Sequence, residues 1–142
     1  MKLSILITLL NEELVLAQTH KAISEKLESM ILSEELSDYE ILYVDDGSSD
    51  STLKLIDAIA DENPRVKYIS FSRNFGRESG ILAGFKYATG DAVMVMDGDL
   101  QHPPYLIPLF VEAYKEGYDI VNGQRSREGE SFVGSFFARS FY

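Results

Sequence analysis

The chain has 142 residues, 45% of them hydrophobic and 25% charged, which is typical of about one globular domain and excludes a disordered chain. The absence of cysteine excludes disulfides and thiolate metal sites, and it agrees with a reducing compartment. The formal net charge of −10 argues against general nucleic-acid binding, which requires a basic surface.

Apolar runs alternate with helical patterns along the chain. The apolar runs predict five strands, at residues 3–10, 40–44, 66–71, 91–96 and 118–122. The first run is too short to span a bilayer and lacks a cleavage site for a signal peptide. Strand–helix alternation predicts an α/β fold, a mostly parallel sheet in a three-layer α/β/α sandwich.

Helical spacing of apolar residues predicts a helix after each of the first four strands. The first carries residues 16–31, and His20 on its apolar stripe is interpreted as a core or boundary residue. The second follows Ser49 or Asp50 as its cap and stops before Pro64. The third lies near residues 78–88, and the fourth begins at Pro103 or Pro104 and ends at Gly117.

Polar residues follow four of the predicted strands. Because ligands bind outside the carboxyl ends of strands in parallel sheets, these residues predict a site at one edge. They are Asn11 and Glu12, Asp45 and Asp46, Arg73 and Asn74, and Asp97 and Asp99.

The fourth strand ends in two aspartates separated by Gly98. Carboxylates this close repel each other unless a proton or a cation lies between them, and Mg²⁺ or Mn²⁺ suits such oxygen ligands. The ion would in turn hold the phosphates of a nucleotide. The alternative is an acidic turn that binds nothing.

The second strand ends at Asp45, whose carboxylate is suited to accept hydrogen bonds from a base or from ribose hydroxyls. Turn and capping chemistry is the alternative, and it accounts for Gly47, Ser49 and Asp50. Neither a G-x-G-x-x-G sequence after the first strand nor a P-loop lysine motif is present, so neither glycine-rich phosphate cradle is predicted.

Five of the six arginines fall in two short segments. Arginine suits bidentate phosphate recognition, although for each of these residues alone a solvated surface position is the better interpretation. They are Arg73, Arg77, Arg125, Arg127 and Arg139.

Four segments in this order and spacing resemble the family 2 glycosyltransferases of the GT-A fold: residues 10–13, 45–52, 71–78 and 97–104. The Ser-Arg-Asn-Phe-Gly and Asp-x-Asp-Leu-Gln elements resemble the polyprenyl-phosphate branch, of the dolichol-phosphate mannosyltransferase and bactoprenol glucosyltransferase type. The resemblance runs from residue 3 to residue 142. It implies one Rossmann-like nucleotide-sugar-binding domain over residues 1–142, truncated at its C-terminal acceptor side.

The resemblance also implies roles for individual residues. Glu12 and Asp45 are expected to bind the base and ribose of the nucleotide, and Asp46 is expected to contact the substrate. Asp97, Asp99 and Gln101 are expected to hold Mg²⁺ or Mn²⁺ on the diphosphate. Asp99 and Arg125 are the expected catalytic residues. Further substrate contacts are expected from Arg73, which has an anchoring role as its alternative, and from Arg127 and Arg139.

The implied reaction is metal-dependent, inverting transfer of a sugar from a UDP- or GDP-sugar to dolichyl or undecaprenyl phosphate. We expect the longer protein to act at the cytoplasmic face of a membrane through segments beyond this chain, and the chain itself to be a soluble cytoplasmic fragment. Nucleic acid is not an expected partner, and a homo-oligomer is left open.

Three alternatives differ in acceptor or in class. A family 2 transferase acting on a saccharide hydroxyl would share the donor site, and a non-catalytic module would bind nucleotide-sugar without turnover. A signalling receiver domain has similar size and architecture, but it requires a lysine after the last strand, where this chain has Asn122-Gly123-Gln124-Arg125.

Overall fold

The computed structural model describes residues 1–99 and 101–123. The described residues divide into two compact units, the first covering Met1–Pro104 and the second beginning at Tyr105. No helix of the described residues combines the length and the hydrophobicity needed to cross a membrane.

The first unit is a parallel sheet with connecting helices. Its elements in chain order are β1 (Lys2–Leu9), α1 (Leu16–Leu32), β2 (Asp38–Asp45), α2 (Thr52–Glu62), β3 (Val66–Ser70), α3 (Arg77–Tyr87) and β4 (Ala92–Asp97). The strands lie in the order β3-β2-β1-β4, and each neighbouring pair is parallel. The predicted α/β fold is confirmed.

The two central strands are buried on both faces, as their unbroken apolar sequences require. Side chains alternate between the faces, and residues paired in register share a face. Tyr43 points towards α1, where its hydroxyl lies 3.0 Å from Nδ1 of His20. Val44, the next residue, packs instead in a cluster with Leu6 and with Ile81 of α3. Helices α1 and α3 therefore cover opposite faces of the sheet.

Helix α3 lies directly on β1 because two of its residues are glycines. A Cβ atom on Gly84 would overlap Cδ1 of Leu6, and one on Gly80 would lie 2.9 Å from Cγ2 of Thr8. This close approach brings the N-terminal residue of the helix, Arg77, towards the carboxyl ends of the strands.

One predicted helix boundary and one predicted strand are corrected. Ser51, rather than Ser49 or Asp50, is the cap residue of α2, while the Asp50 carboxylate accepts the Thr52 N–H at 2.9 Å. Residues 118–122 form no strand in the structure.

The second unit contains α4 (Ile107–Lys115), which follows a 3₁₀ turn at Pro104–Leu106. Gly117 adopts φ 101°, and the Tyr118 N–H donates to the Ala113 carbonyl at 3.3 Å. Tyr118, where the predicted fifth strand begins, is thus used to close the end of α4.

A buried carboxylate joins the amino ends of the strands. Glu40 on β2 is 2% exposed, and its Oε1 accepts the Ser4 hydroxyl and the Thr89 N–H, both at 2.6 Å. Its Oε2 accepts from the Lys67 ammonium at 3.1 Å. Burial opposes ionisation, but these hydrogen bonds outweigh it and lower the pKa of Glu40 from 4.5 to about 2.

We expect Glu40→Gln to destabilise the chain by about 2–3 kcal/mol at neutral pH, because it weakens a set of charge-assisted hydrogen bonds. The pKa is lower in the folded chain than in the unfolded one, so the stabilisation is complete above pH 4.5 and is lost as the pH falls towards 2. Urea unfolding from pH 7 to pH 2 would show the difference between wild type and variant shrinking in that window.

The matched control is Glu25→Gln, which removes an exposed carboxylate paired with Lys21 on α1. It should change the free energy of unfolding by no more than about 0.5 kcal/mol. A Glu40→Gln effect as small as that of the control, or one that persists at pH 2, would contradict this account.

Candidate active site

Four loops leave the carboxyl ends of the strands at one edge of the sheet. We call them the first loop (residues 10–15), the second (46–51), the third (71–76) and the fourth (98–103, without residue 100). All lie within the first unit. They bring together the predicted residues Glu12, Asp45, Asp46, Arg73, Asp97, Asp99 and Gln101.

The first and second loops are joined by reciprocal hydrogen bonds. The Asn11 N–H donates to the Ser48 hydroxyl at 2.9 Å, and the Ser49 N–H donates to the Asn11 side-chain carbonyl at 2.8 Å. Asn11 adopts a positive φ of 54°, which asparagine tolerates better than most residues. The Glu12 N–H donates to the Thr52 hydroxyl at 2.8 Å. The backbone position of Glu12 is therefore set by the second loop and α2.

Two acidic residues of these loops serve the backbone. The Glu13 carboxylate accepts the Ser51 N–H at 2.8 Å, and the Asp50 carboxylate accepts the Glu13 N–H at 3.2 Å. Asp45, at the end of β2, is 1% exposed and accepts the Ser48 N–H at 3.3 Å. The nucleoside contact predicted for Asp45 stays a prediction.

The second and third loops are held together by Asp46. Its side chain is buried, with Oδ1 accepting the Phe75 N–H at 2.7 Å and Oδ2 accepting the Gly76 N–H at 3.0 Å. Gly47 adopts φ 73°, and a Cβ atom there would lie 2.6 Å from the backbone nitrogen of Asn74. The structure shows Asp46 positioning the third loop, and the substrate contact predicted for it stays a prediction.

Arg73 lies exposed on the third loop. Its guanidinium stacks over the Phe75 ring at 4.5 Å from the centroid, and Phe71 meets Phe75 edge-on at 5.6 Å. This cation–π contact supports the anchoring role that the sequence offered for Arg73. A phosphate contact for the same residue stays a prediction.

The aspartate pair, Asp97 and Asp99, stands at the end of β4 and the start of the fourth loop. The Thr19 hydroxyl donates to the Gly98 carbonyl at 3.0 Å, which fixes the backbone between the two aspartates. Asp97 Oδ1 lies 2.8 Å from Nη2 of Arg77, and Asp99 accepts the Gln101 N–H at 3.0 Å.

His102 turns back onto the same strand end. Its Nδ1 accepts the Asp97 backbone N–H at 3.0 Å, which requires this nitrogen to be unprotonated. The 3.5 Å separation between Nδ1 and Asp97 Oδ2 is then not an ion pair. The ring therefore holds the strand end.

The edge is electrostatically acidic. Burial, followed by the negative charges of Asp99 and Asp50, raises the pKa of Glu12 above its ordinary value. The negative charge of Asp99 therefore acts on Glu12 across the loops. A cation placed between these loops would relieve that repulsion.

The oxygen ligands at this edge suit a metal ion that is also bound by the phosphates of a substrate. No three His, Asp or Glu side chains in the described part of the chain are placed to hold an ion by themselves. Asp97 and Asp99 nevertheless supply carboxylate oxygens, and Mg²⁺ is commonly bound by one or two carboxylates together with substrate phosphates. Gln101 is exposed next to this pair.

Some predicted site residues lie outside the described part of the chain, and some residues of the site were not predicted from the sequence. Arg125, Arg127 and Arg139 lie outside the described residues. The sequence singled out neither the pairing of Arg77 with Asp97 nor the contact of His102 with the same residue. The two glycines of α3 were the available signal for Arg77, because they let the helix lie on β1.

We expect Asp46→Asn to destabilise the chain by about 1–3 kcal/mol, because an amide places an NH₂ group against a backbone N–H that it must leave unpaired. Hydrogen exchange at the Phe75 and Gly76 amides should accelerate more than at other amides. Asp61→Asn, at an exposed position of α2, is the control and should shift stability by less than about 0.5 kcal/mol. Unchanged exchange at Phe75 and Gly76 would count against the positioning role.

Sequence similarity relates this chain to known proteins. The profile described as Glycosyl transferase family 2 matches residues 4–139. The Bacillus subtilis protein named "Putative glycosyltransferase CsbB" is 46% identical over 140 residues, which is 99% of this chain and 41% of that protein. The Escherichia coli "Prophage bactoprenol glucosyl transferase homolog" is 40% identical over 128 residues, which is 89% of this chain and 40% of that protein.

The fold also matches that of a solved structure. A mannosyltransferase from Pyrobaculum calidifontis, in complex with GDP-Man and Mn²⁺, aligns with a TM-score of 0.60 and 18% identity over 75% of this chain and 30% of that one. The chain spans about two fifths of the length of the curated relatives named above. The resemblance noted from the sequence is confirmed, and the chain belongs to glycosyl transferase family 2.

Proposed function

We propose that the protein to which this chain belongs transfers a sugar from a nucleotide diphosphate sugar to the phosphate of a polyprenyl lipid. The observation that carries the proposal is the Asp97–Asp99 pair at the carboxyl edge of the sheet, where Asp97 ends β4 and the charge of Asp99 acts on Glu12. Relatives at about 40% identity named bactoprenol glucosyl transferases support the lipid phosphate as acceptor.

The donor would lie across the four loops. Asp97 and Asp99, with Gln101, would hold Mg²⁺ or Mn²⁺, which as a Lewis acid offsets the charge that develops on the departing diphosphate. Glu12 and Asp45 would contact the ribose and the base, on loops that Asn11 and Thr52 already hold in place. Arg125, Arg127 and Arg139 would neutralise phosphate oxygens.

The choice between a phosphate and a hydroxyl acceptor depends on whether a general base is needed. A phosphate oxygen attacks the anomeric carbon while the bond to the diphosphate oxygen breaks, which inverts the configuration. A phosphate acceptor is already anionic at pH 7 and needs no general base, whereas a hydroxyl acceptor needs one. The carboxylates of Glu13, Asp46 and Asp50 are engaged by backbone N–H groups, which favours the acceptor that needs no base.

A lipid acceptor places the reaction at a membrane. We propose that the protein to which this chain belongs works at the cytoplasmic face of that membrane.

Calorimetry on the 142-residue chain tests the donor half. We expect at least one of UDP-glucose, GDP-mannose and UDP-N-acetylglucosamine to bind, and to bind more tightly with Mn²⁺ than with EDTA. Asp99→Ala should weaken the Mn²⁺-dependent binding by at least about tenfold, because it removes one of two carboxylate ligands. Asp61→Ala, far along α2, should leave the binding unchanged. No binding of any donor, or a normal Asp99→Ala variant, would refute the donor site.

The acceptor half is tested with the full-length protein and a radiolabelled donor. Transfer to a polyprenyl phosphate, but not to the matching polyprenol, is the expected result. Transfer to a saccharide alone would favour the hydroxyl-acceptor alternative, and binding without transfer to any acceptor would favour a non-catalytic module.

A further inference from the structure

Arg77 contacts the aspartate pair as a consequence of how α3 packs. The helix lies on β1 through Gly80, whose Cα faces Thr8, and Thr8 is the register partner of Asp97 on β4. Arg77 precedes Gly80 by three residues, so both lie on the same side of the helix. The guanidinium therefore reaches Asp97, with Nη2 2.8 Å from Oδ1.

The contact balances charge at an acidic edge. Asp99 already disfavours ionisation of Glu12 across the loops. Among the described residues, Arg77 is the arginine that forms an ion pair with an aspartate of the pair. A divalent cation on Asp97 and a guanidinium on the same carboxylate would repel each other, so binding one disfavours the other.

The Arg77 side chain also has room to move. It is 55% exposed, while Asp97 is 31% exposed. Its planar group carries five N–H donors in a fork that matches phosphate oxygens, and its stem has several rotatable bonds. A diphosphate bound beside Asp97 would lie within the reach of this side chain.

We propose that Arg77 is an internal counter-ion that neutralises Asp97 in the nucleotide-free protein. When a metal–nucleotide complex binds, Arg77 leaves Asp97 and donates to the diphosphate oxygens. This inference rests on the proposed function and adds to it a residue that links metal binding to nucleotide binding.

The two roles predict effects of opposite sign in Arg77→Met. Mn²⁺ alone, followed by paramagnetic resonance and proton relaxation, should bind about two- to fivefold more tightly, since a competing exposed ion pair is gone. UDP and GDP, titrated by calorimetry at saturating Mn²⁺, should bind about tenfold more weakly, since charge-assisted hydrogen bonds are lost. Arg77→Lys keeps the charge without the fork, so Mn²⁺ affinity should stay near wild type while nucleotide affinity falls in part.

The matched control is Lys86→Met, which removes an exposed positive charge from the same helix. It should change neither affinity, and circular dichroism should show all variants folded. Equal shifts in Lys86→Met and Arg77→Met, or unchanged Mn²⁺ affinity in Arg77→Met, would overturn the counter-ion role and leave the metal to Asp99. A wild type that binds no UDP or GDP would refute the proposed function, while the titration with Mn²⁺ alone would still decide the counter-ion role.

Discussion

The Asp46 carboxylate is the interaction on which the candidate site depends. It is buried, and its two oxygens accept the backbone N–H groups of Phe75 and Gly76. Through it the loop after β2 fixes the loop after β3, and Arg77 begins α3 immediately after that loop. A change at Asp46 would therefore reach the ion pair with Asp97 without touching either partner.

The hydrogen bonds divide the acidic residues of this edge into groups with different roles. Glu13, Asp46 and Asp50 are satisfied by backbone N–H groups and contribute to the shape of the loops. Asp97 has a guanidinium partner, while Glu12 and Asp99 repel each other. Negative charge thus remains concentrated at one point of the edge, and this is where a cation with a diphosphate would be most stabilised.

Strand and helix periodicity, which is local information, was enough to predict the α/β fold. The buried runs of β1 and β2 and the apolar stripe of α1 carry that signal, and parallel pairing follows from their alternation. The strand expected at 118–122 failed because Tyr118 completes the end of α4, a contact that no apolar pattern encodes. The arrival of Glu12 and Asp99 at one edge was predictable, since the carboxyl ends of parallel strands always meet there.

The partners of each side chain were not predictable, because they depend on contacts between residues far apart in sequence. The aspartate pair illustrates this point. Gly98 is buried between them, where a Cβ atom would overlap Cδ2 of Leu9, and its carbonyl accepts the Thr19 hydroxyl of α1. The glycine lets β1 and α1 close on the strand end, so the flanking carboxylates must face the loops. The glycine between the two aspartates is therefore required by packing as well as by chemistry. The separate packing of α3 on β1 decides that Arg77 meets Asp97.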